Sequence, residues 1–197
     1  MADRYANFAE LSARERRGRD YDIVVREVAE SSVAIVAPHA GAIERGTSEV
    51  AVTIAGADYN LYLFEGFGDD AYRLHITSSH FDEPDCVALV GRCGVVVTIH
   101  GCHYADRDET VYLGGRDAGL RDAIGAALRG AGFAARIDTR NPGRHPLNIC
   151  NRGSTGQGVQ LEISRDLRRR LRAGHDLRAG FAEAVRAAIA ARISRVN

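Results

Sequence analysis

The sequence contains no lysine, so its basic side chains other than histidine are all arginines. The 26 arginines are balanced by 26 acidic residues, which gives a formal net charge of zero. Non-specific nucleic-acid binding depends on excess positive charge, so we expect no nucleic-acid partner. Guanidinium groups bind carboxylates through two parallel hydrogen bonds, and this neutral composition therefore still allows local clefts for anions.

Long apolar runs are also missing, and no stretch approaches the ~20 residues needed to span a bilayer. Residues 1–20 carry many charges and no uninterrupted apolar core, unlike a secretory signal. We therefore expect no membrane association and a cytoplasmic location, with release from the cell only by lysis. No linker rich in proline or serine divides the 197 residues. This predicts one domain over residues 21–197, preceded by an N-terminal extension over residues 1–20.

None of the four cysteines forms a closely spaced CxxC pair. They lie in or beside apolar segments, at Cys86, Cys93, Cys102 and Cys150. Free cysteine packs as a small hydrophobic residue, so the pattern predicts buried thiols. A structural zinc site formed by the first three cysteines with His103 is the alternative.

Short apolar runs enriched in β-branched residues alternate with segments of helical periodicity. The runs predict strands at Tyr21–Val28, Val33–Ala37, Tyr59–Phe64, Tyr72–Thr77, Gly94–Ile99, Thr110–Leu113, Phe133–Ile137 and Val159–Ile163. The periodic segments predict helices at Thr47–Ala57, Glu83–Gly91, Asp117–Gly130, Ser164–Ala173 and Leu177–Ser194. This order favours an α/β fold with a single domain, in which a mostly parallel, mixed sheet is flanked by helices on both faces.

The last predicted helix carries an apolar stripe formed by Phe181, Val185, Ile189 and Ile193. Such a stripe suits packing on its own domain or on a partner, so the oligomeric state stays open.

Side chains that can bind a metal occur where apolar runs end. His39 follows one predicted strand and Glu44 lies in the turn after it, while His100 ends another strand. The carboxyl ends of parallel strands meet at one edge of a sheet, and two imidazoles with one carboxylate are common ligands of a catalytic zinc ion. We predict these three as ligands, and favour His100 over His103 because the strand presents it. The alternatives are hydrogen-bonded histidines at strand ends and a solvated glutamate.

Glu162 lies inside the apolar run GVQLEIS. Alternation along a strand places it with Gln160 on the face opposite Val159, Leu161 and Ile163. In a sheet covered on both faces this carboxyl group is partly buried. Burial raises a carboxyl pKa and a nearby metal lowers it, which predicts a general base that works near neutral pH. An edge strand with a solvated polar face is the alternative.

Three further polar residues are candidates for contacts with substrate. His80 lies in a loop between a predicted strand and a helix, and Asn151 and Arg152 lie in the glycine-containing segment before Glu162. Arg152 is predicted as a carboxylate clamp or an oxyanion partner in catalysis, with Asn151 beside it. A helix-capping loop around His80 and a surface role for Arg152 are the alternatives.

Seven segments in a fixed order carry a family resemblance: APHAGAIERGTSEVA, LYLFEG, LHITSSHFDEP, TIHGC, LGGRD, NICNRG and GVQLEIS. Together they resemble the poly-gamma-glutamate hydrolase family of bacteria and their phages, sometimes labelled phage-related replication protein. The resemblance implies a zinc peptidase with a metallocarboxypeptidase-like fold that cleaves γ-amide links of polyglutamate, a polyanionic peptide. It also implies His39, Glu44 and His100 as zinc ligands and Glu162 as the catalytic glutamate. The gap between His39 and Glu44 is wider than in metallocarboxypeptidases and similar to that of polyglutamate hydrolases.

Two other functions remain compatible with the sequence. One is a zinc amidase or peptidase that acts on cell-wall peptides, and the other is a non-catalytic protein associated with phage replication in which zinc only supports the fold.

Overall fold

The computed structural model describes residues 3–105 and 107–194, and within these ranges the chain forms one sheet with helices on both faces. The strands are β1 (Tyr21–Arg26), β2 (Val33–Gly41), β3 (Asn60–Gly66), β4 (Val95–Cys102), β5 (Thr110–Gly115), β6 (Ala134–Ile137) and β7 (Val159–Ser164). The helices are α1 (Phe8–Ser12), α2 (Thr47–Ala55), α3 (Pro84–Gly91), α4 (Ala118–Gly130), α5 (Arg165–Ala173) and α6 (His175–Ile193).

The sheet is mixed, with the strand order β1-β3-β2-β4-β7-β5-β6. The pairs β3/β2, β2/β4, β4/β7 and β5/β6 are parallel, whereas β1/β3 and β5/β7 are antiparallel. The predicted mostly parallel, mixed sheet is therefore confirmed. The carboxyl ends of β2, β4 and β7 meet at one edge, which brings distant parts of the sequence together.

Alternating side chains of the central strands contribute to two apolar cores. In β2, Val33 and Ile35 belong to the first core, which is shared with α2, α4, α5 and α6. Ala34 and Val36 belong to the second core, which is shared with α1 and α3. Both faces of the sheet are thus covered, as predicted from the alternation of strands and helices. A buried strand with apolar side chains on both faces is the pattern expected for parallel strands in an α/β domain.

Helix α6 packs on its own domain. Phe181, Val185 and Ile189 of the predicted stripe are buried in the core with the sheet, and Ile193 packs against that core. Helix α4 is capped as predicted by Asp117, whose side chain accepts a hydrogen bond from the Leu120 N–H.

The strand predicted at Tyr72–Thr77 is wrong. The segment forms a short 3₁₀ helix at Ala71–Leu74 and then a loop. Leu74 and Ile76 are buried in the second core, so their alternation reflects burial without strand pairing. Within the loop, the N–H of Thr77 donates to the Asp3 carboxylate instead of to a neighbouring strand.

Residues before β1 pack against the rest of the chain. Tyr5 and the α1 residue Leu11 are buried in the second core, together with Tyr21 of β1. Helix α1 is short and has no predicted counterpart among the helices inferred from periodicity.

All four cysteines are free and buried, which confirms the prediction of buried thiols. No helix within the described ranges is long and apolar enough to cross a bilayer.

Candidate active site

Four predicted site residues line one cleft of about 790 Å³ at the carboxyl edge of the central strands. His39 belongs to β2, His100 to β4 and Glu162 to β7, while Glu44 lies in the turn before α2. His100 and Glu162 are directly paired positions of neighbouring parallel strands. The sheet itself therefore fixes the spacing between the imidazole and the carboxylate.

The end of β2 brings Glu44 back toward His39. The pairing of β2 with β3 shifts register between Ala37 and Ala40, which interrupts the regular ladder at His39. Gly41 follows with φ +66°, and a Cβ there would lie 2.6 Å from the Gly66 carbonyl oxygen, so the turn requires glycine. After this turn the Glu44 N–H donates to the His39 carbonyl oxygen at 3.0 Å.

The donor groups of His39, Glu44 and His100 form a triangle of about the size that a metal ion needs. The His39 Nδ1 atom lies 3.2 Å from the His100 Nδ1 and 3.4 Å from the Glu44 Oε1, and the His100 Nδ1 lies 3.9 Å from the Glu44 Oε2. Zinc binds nitrogen and oxygen at about 2.0–2.2 Å, so tetrahedral ligands stand about 3.3–3.6 Å apart. The three residues are therefore close enough for one zinc ion to take a nitrogen from each histidine and an oxygen from Glu44.

The groups around this triangle orient the donor atoms. The His39 Nε2 lies 2.8 Å from the Ile76 carbonyl oxygen, and because a carbonyl only accepts, this nitrogen carries the proton and leaves Nδ1 available as a ligand. The His100 Nε2 lies 3.4 Å from the Ser78 hydroxyl. The Gly101 N–H donates to the Glu44 Oε2 at 2.7 Å. The carbonyl contact fixes the tautomer of His39, and the other two contacts help to orient His100 and the Glu44 carboxylate.

In the metal-free protein the three groups also shift one another's pKa values. Burial raises the pKa of Glu44, but the charge of His39 and its hydrogen bond, together with the charge of His100, outweigh burial and lower that pKa to about 2. Burial and the neighbouring His39 lower the pKa of His100 to about 3. Burial lowers the pKa of His39, but the Glu44 carboxylate outweighs it and raises that pKa. A neutral His100 and an ionised Glu44 are the forms that bind metal.

Glu162 is buried beside this triangle. Its Oε1 accepts a hydrogen bond from the Asn141 Nδ2 at 2.7 Å and a longer one from the Gln160 Nε2 at 3.3 Å. Burial raises its pKa well above the usual value, and the charges of Glu44 and Asp138 add to that increase. A carboxylate with a raised pKa and a fixed orientation can act as a general base.

Several lining residues of the cleft have no sequence signal, and His75, Asn141 and Arg168 are three of them. His75 stacks on His39 with ring centroids 4.0 Å apart, and its Nδ1 lies 2.7 Å from an Asp3 carboxylate oxygen. Asn141 holds Glu162, and Arg168 reaches the cleft from α5. Their roles depend on contacts between distant segments, and Arg168 lies in a helix so rich in arginine that its pattern singles out no member.

The three predicted substrate contacts do not line this cleft. His80 is exposed. The Arg152 Nη1 donates a hydrogen bond to the Phe81 carbonyl oxygen at 3.3 Å. The Asn151 Nδ2 donates to the carbonyl oxygens of Gly143 and His145, and its Oδ1 accepts from two backbone N–H groups. Asn151 thus supports a wall of the cleft from behind, because Gly143 and His145 are lining residues. His103 also lines the cleft, outside the ligand triangle.

The fold resembles that of known metallohydrolases. A metallo-carboxypeptidase from Burkholderia cenocepacia matches 89% of this chain and 61% of its own with a TM-score of 0.52, at 13% identity. At that identity the likeness shows the fold alone, which is the metallocarboxypeptidase-like α/β fold expected from the sequence.

The family follows from closer matches. The model of the family described as poly-gamma-glutamate hydrolase matches residues 5–184, and the chain belongs to this family. It is similar to the structure of a bacteriophage poly-gamma-glutamate hydrolase, with a TM-score of 0.91 and 34% identity over 98% of this chain and 99% of that one. It is also similar to a zinc-free apo structure of YndL, with a TM-score of 0.85 and 35% identity over 95% and 98% of the two chains.

A curated relative is the SPbeta prophage-derived UPF0714 protein YoqZ of Bacillus subtilis (strain 168), which is 41% identical over 174 residues. That match covers 86% of this chain, and the chain spans 62% of the length of YoqZ.

Proposed function

We propose that this chain is a zinc-dependent hydrolase that cleaves the γ-glutamyl amide bonds of poly-gamma-glutamate. The observation that carries the proposal is the triangle of His39, Glu44 and His100 with Glu162 on the adjacent strand. Membership of the poly-gamma-glutamate hydrolase family supports the choice of substrate. The apo structure of the relative YndL, described as zinc-free, supports the choice of metal.

Each residue has a separate task in this reaction. A zinc ion in the triangle would polarise the scissile carbonyl and lower the pKa of a bound water. Glu162 accepts the proton of the attacking water and then delivers it to the nitrogen of the leaving amine. Asn141 holds one oxygen of Glu162, so the carboxylate keeps its direction through both proton transfers.

The charge of the cleft suits a polyanionic peptide. Arg140 and Arg144 line the wall formed by residues 140–148, whereas the acidic lining residues are Glu44 and Glu162. Guanidinium groups bind carboxylates through paired hydrogen bonds, and each residue of γ-linked polyglutamate carries a free α-carboxylate. We propose that Arg140 and Arg144 bind these carboxylates.

The test compares three polymers on the zinc-reconstituted protein: poly-gamma-glutamate, α-linked polyglutamate and purified peptidoglycan. We expect new amino termini and shorter chains from the γ-linked polymer alone. The His39→Ala variant, prepared in the same way, should lose both stoichiometric zinc and turnover. Release of peptide from peptidoglycan alone would favour the cell-wall amidase instead. Stoichiometric zinc without cleavage of any polymer would favour the non-catalytic alternative.

A further inference from the structure

Arg168 is a buried arginine that joins separate parts of the site. It lies in α5, just after the strand that carries Glu162, and only 8% of its surface is exposed. Its Nε donates to the Ile163 carbonyl oxygen at 3.0 Å, and its Nη1 donates to the Arg45 carbonyl oxygen at 2.8 Å. These acceptors directly follow Glu162 and Glu44 in the sequence. One guanidinium group therefore links the strand of the general base to the turn of a metal ligand.

The same guanidinium group packs on the strand that carries His100. A Cβ added at Gly101 would lie 2.3 Å from the Arg168 Cζ and 2.5 Å from its Nε, so no larger residue fits while Arg168 keeps its position. Gly101 is also the residue whose N–H donates to the Glu44 Oε2. The glycine thus lets Arg168 approach β4 closely at the point where β4 contacts the ligand carboxylate.

Charge makes this position suitable for arginine. The carboxylates of Glu44 and Glu162 both lie close enough to favour the charged guanidinium, which offsets part of the effect of burial. The planar guanidinium can direct separate N–H groups at two carbonyl oxygens, whereas a lysine ammonium is a single point of charge on a flexible chain.

We propose that Arg168 is a positioning residue, which holds the Glu44 turn in fixed register with the strands of His100 and Glu162. The catalytic part of this inference rests on the proposed function, whereas the metal-binding part depends only on the ligand triangle. Some residues do not bind the metal themselves but orient the residues that do. Their replacement typically lowers metal affinity or activity by about 10- to 100-fold.

The test uses four variants of the full chain: Arg168→Ala, Arg168→Lys, Gly101→Ala, and the double variant of Gly101→Ala with Arg168→Ala. Arg169→Ala is the matched control, because Arg169 is the next residue of the same helix, is exposed, and pairs with Asp166. Each protein is measured for zinc dissociation constant, for kcat and KM per zinc-loaded molecule, and for thermal unfolding.

We expect Arg168→Ala, Arg168→Lys and Gly101→Ala each to weaken zinc binding by about 10- to 100-fold and to lower kcat by a similar factor, with little change in KM. In the double variant the added methyl group fills space that the arginine has left. The double variant should therefore lose no more zinc affinity and kcat than Arg168→Ala alone. The control should match the wild type.

Three results would overturn the proposal. One is a lower unfolding temperature in Arg168→Ala with unchanged zinc affinity and kcat, which would make Arg168 a residue of general stability. Another is full recovery in Arg168→Lys, which would assign the effect to charge alone. The third is additive losses in the double variant. If Arg168→Ala does not fold, Gly101→Ala and Arg168→Lys decide the question. If the wild type cleaves no polymer, the proposed function fails, and the zinc affinities still test Arg168.

Discussion

Replacement of Glu162 by glutamine separates metal binding from proton transfer. The substituted amide keeps the shape of the side chain, and its oxygen can still accept the 2.7 Å hydrogen bond from Asn141. Zinc should stay bound, because Glu162 lies outside the triangle of His39, Glu44 and His100. A positioned general base contributes about 10²–10⁴-fold. At about 1.36 kcal/mol per factor of ten, this corresponds to about 2.7–5.4 kcal/mol of lost transition-state stabilisation.

The same substitution has an expected effect on folding. The folded-state pKa of Glu162 is raised above its usual value of 4.5, mainly by burial, so the folded protein holds this proton more tightly than the unfolded chain. The stabilisation that follows is complete below about pH 4.5 and is lost as the pH rises through the folded-state pKa. In the metal-free protein at neutral pH the burial of this ionisable group therefore opposes folding, and Glu162→Gln should raise the free energy of unfolding.

The assay measures kcat on poly-gamma-glutamate, bound zinc by elemental analysis, and chemical unfolding of the metal-free wild type and variant. We expect a fall in kcat within the stated range, equal zinc content, and a higher unfolding midpoint for the variant. A zinc-loaded Glu162→Gln protein that keeps kcat within about tenfold of the wild type would refute the role of general base, since the loss would lie below the expected range.

Three further results are expected. In denaturant titrations, zinc at about 100 times the wild-type dissociation constant should increase the free energy of unfolding by about 2.7 kcal/mol. An equal gain in His39→Ala at the same zinc concentration would place the ion elsewhere. Asn141→Ala removes a hydrogen bond that lowers the pKa of Glu162; because the base must be ionised, the acidic limb of a kcat/KM profile should move to higher pH, and a shift to lower pH would contradict this. Phe181→Ala should reduce the free energy of unfolding by about 3–5 kcal/mol, and a loss below about 1 kcal/mol would contradict the packing of α6 in the core.

The sequence was most informative where local pattern and strand direction combine. His39 and His100 lie near the carboxyl ends of apolar runs, and parallel pairing brings such ends to one edge. Glu162 was identifiable because a charged residue interrupts the apolar pattern of a central strand. These features depend on short segments, and the common edge needs only the knowledge that the strands are parallel.

Other parts of the site depend on contacts that no local pattern encodes. The alternation at Tyr72–Thr77 indicates burial of Leu74 and Ile76, and it carries no information on whether backbone groups pair with a strand or with Asp3. Asn151 and Arg152 have the residue types of substrate contacts, and in the folded chain the Asn151 amide and the Arg152 Nη1 bind backbone groups of neighbouring loops. A polar residue in a loop can serve either purpose, and its residue type does not distinguish the two.

Strands form the base of the cleft, whereas loops form its sides. His39, His100 and Glu162 are anchored on adjoining strands, whereas Tyr104 and residues 140–148 contribute from connecting loops. Strand-borne groups keep their geometry more accurately than loop-borne ones. Preference for a given peptide can thus diverge among homologues through the loops while the reactive centre stays constant, and attempts to retarget this protein should begin with residues 140–148.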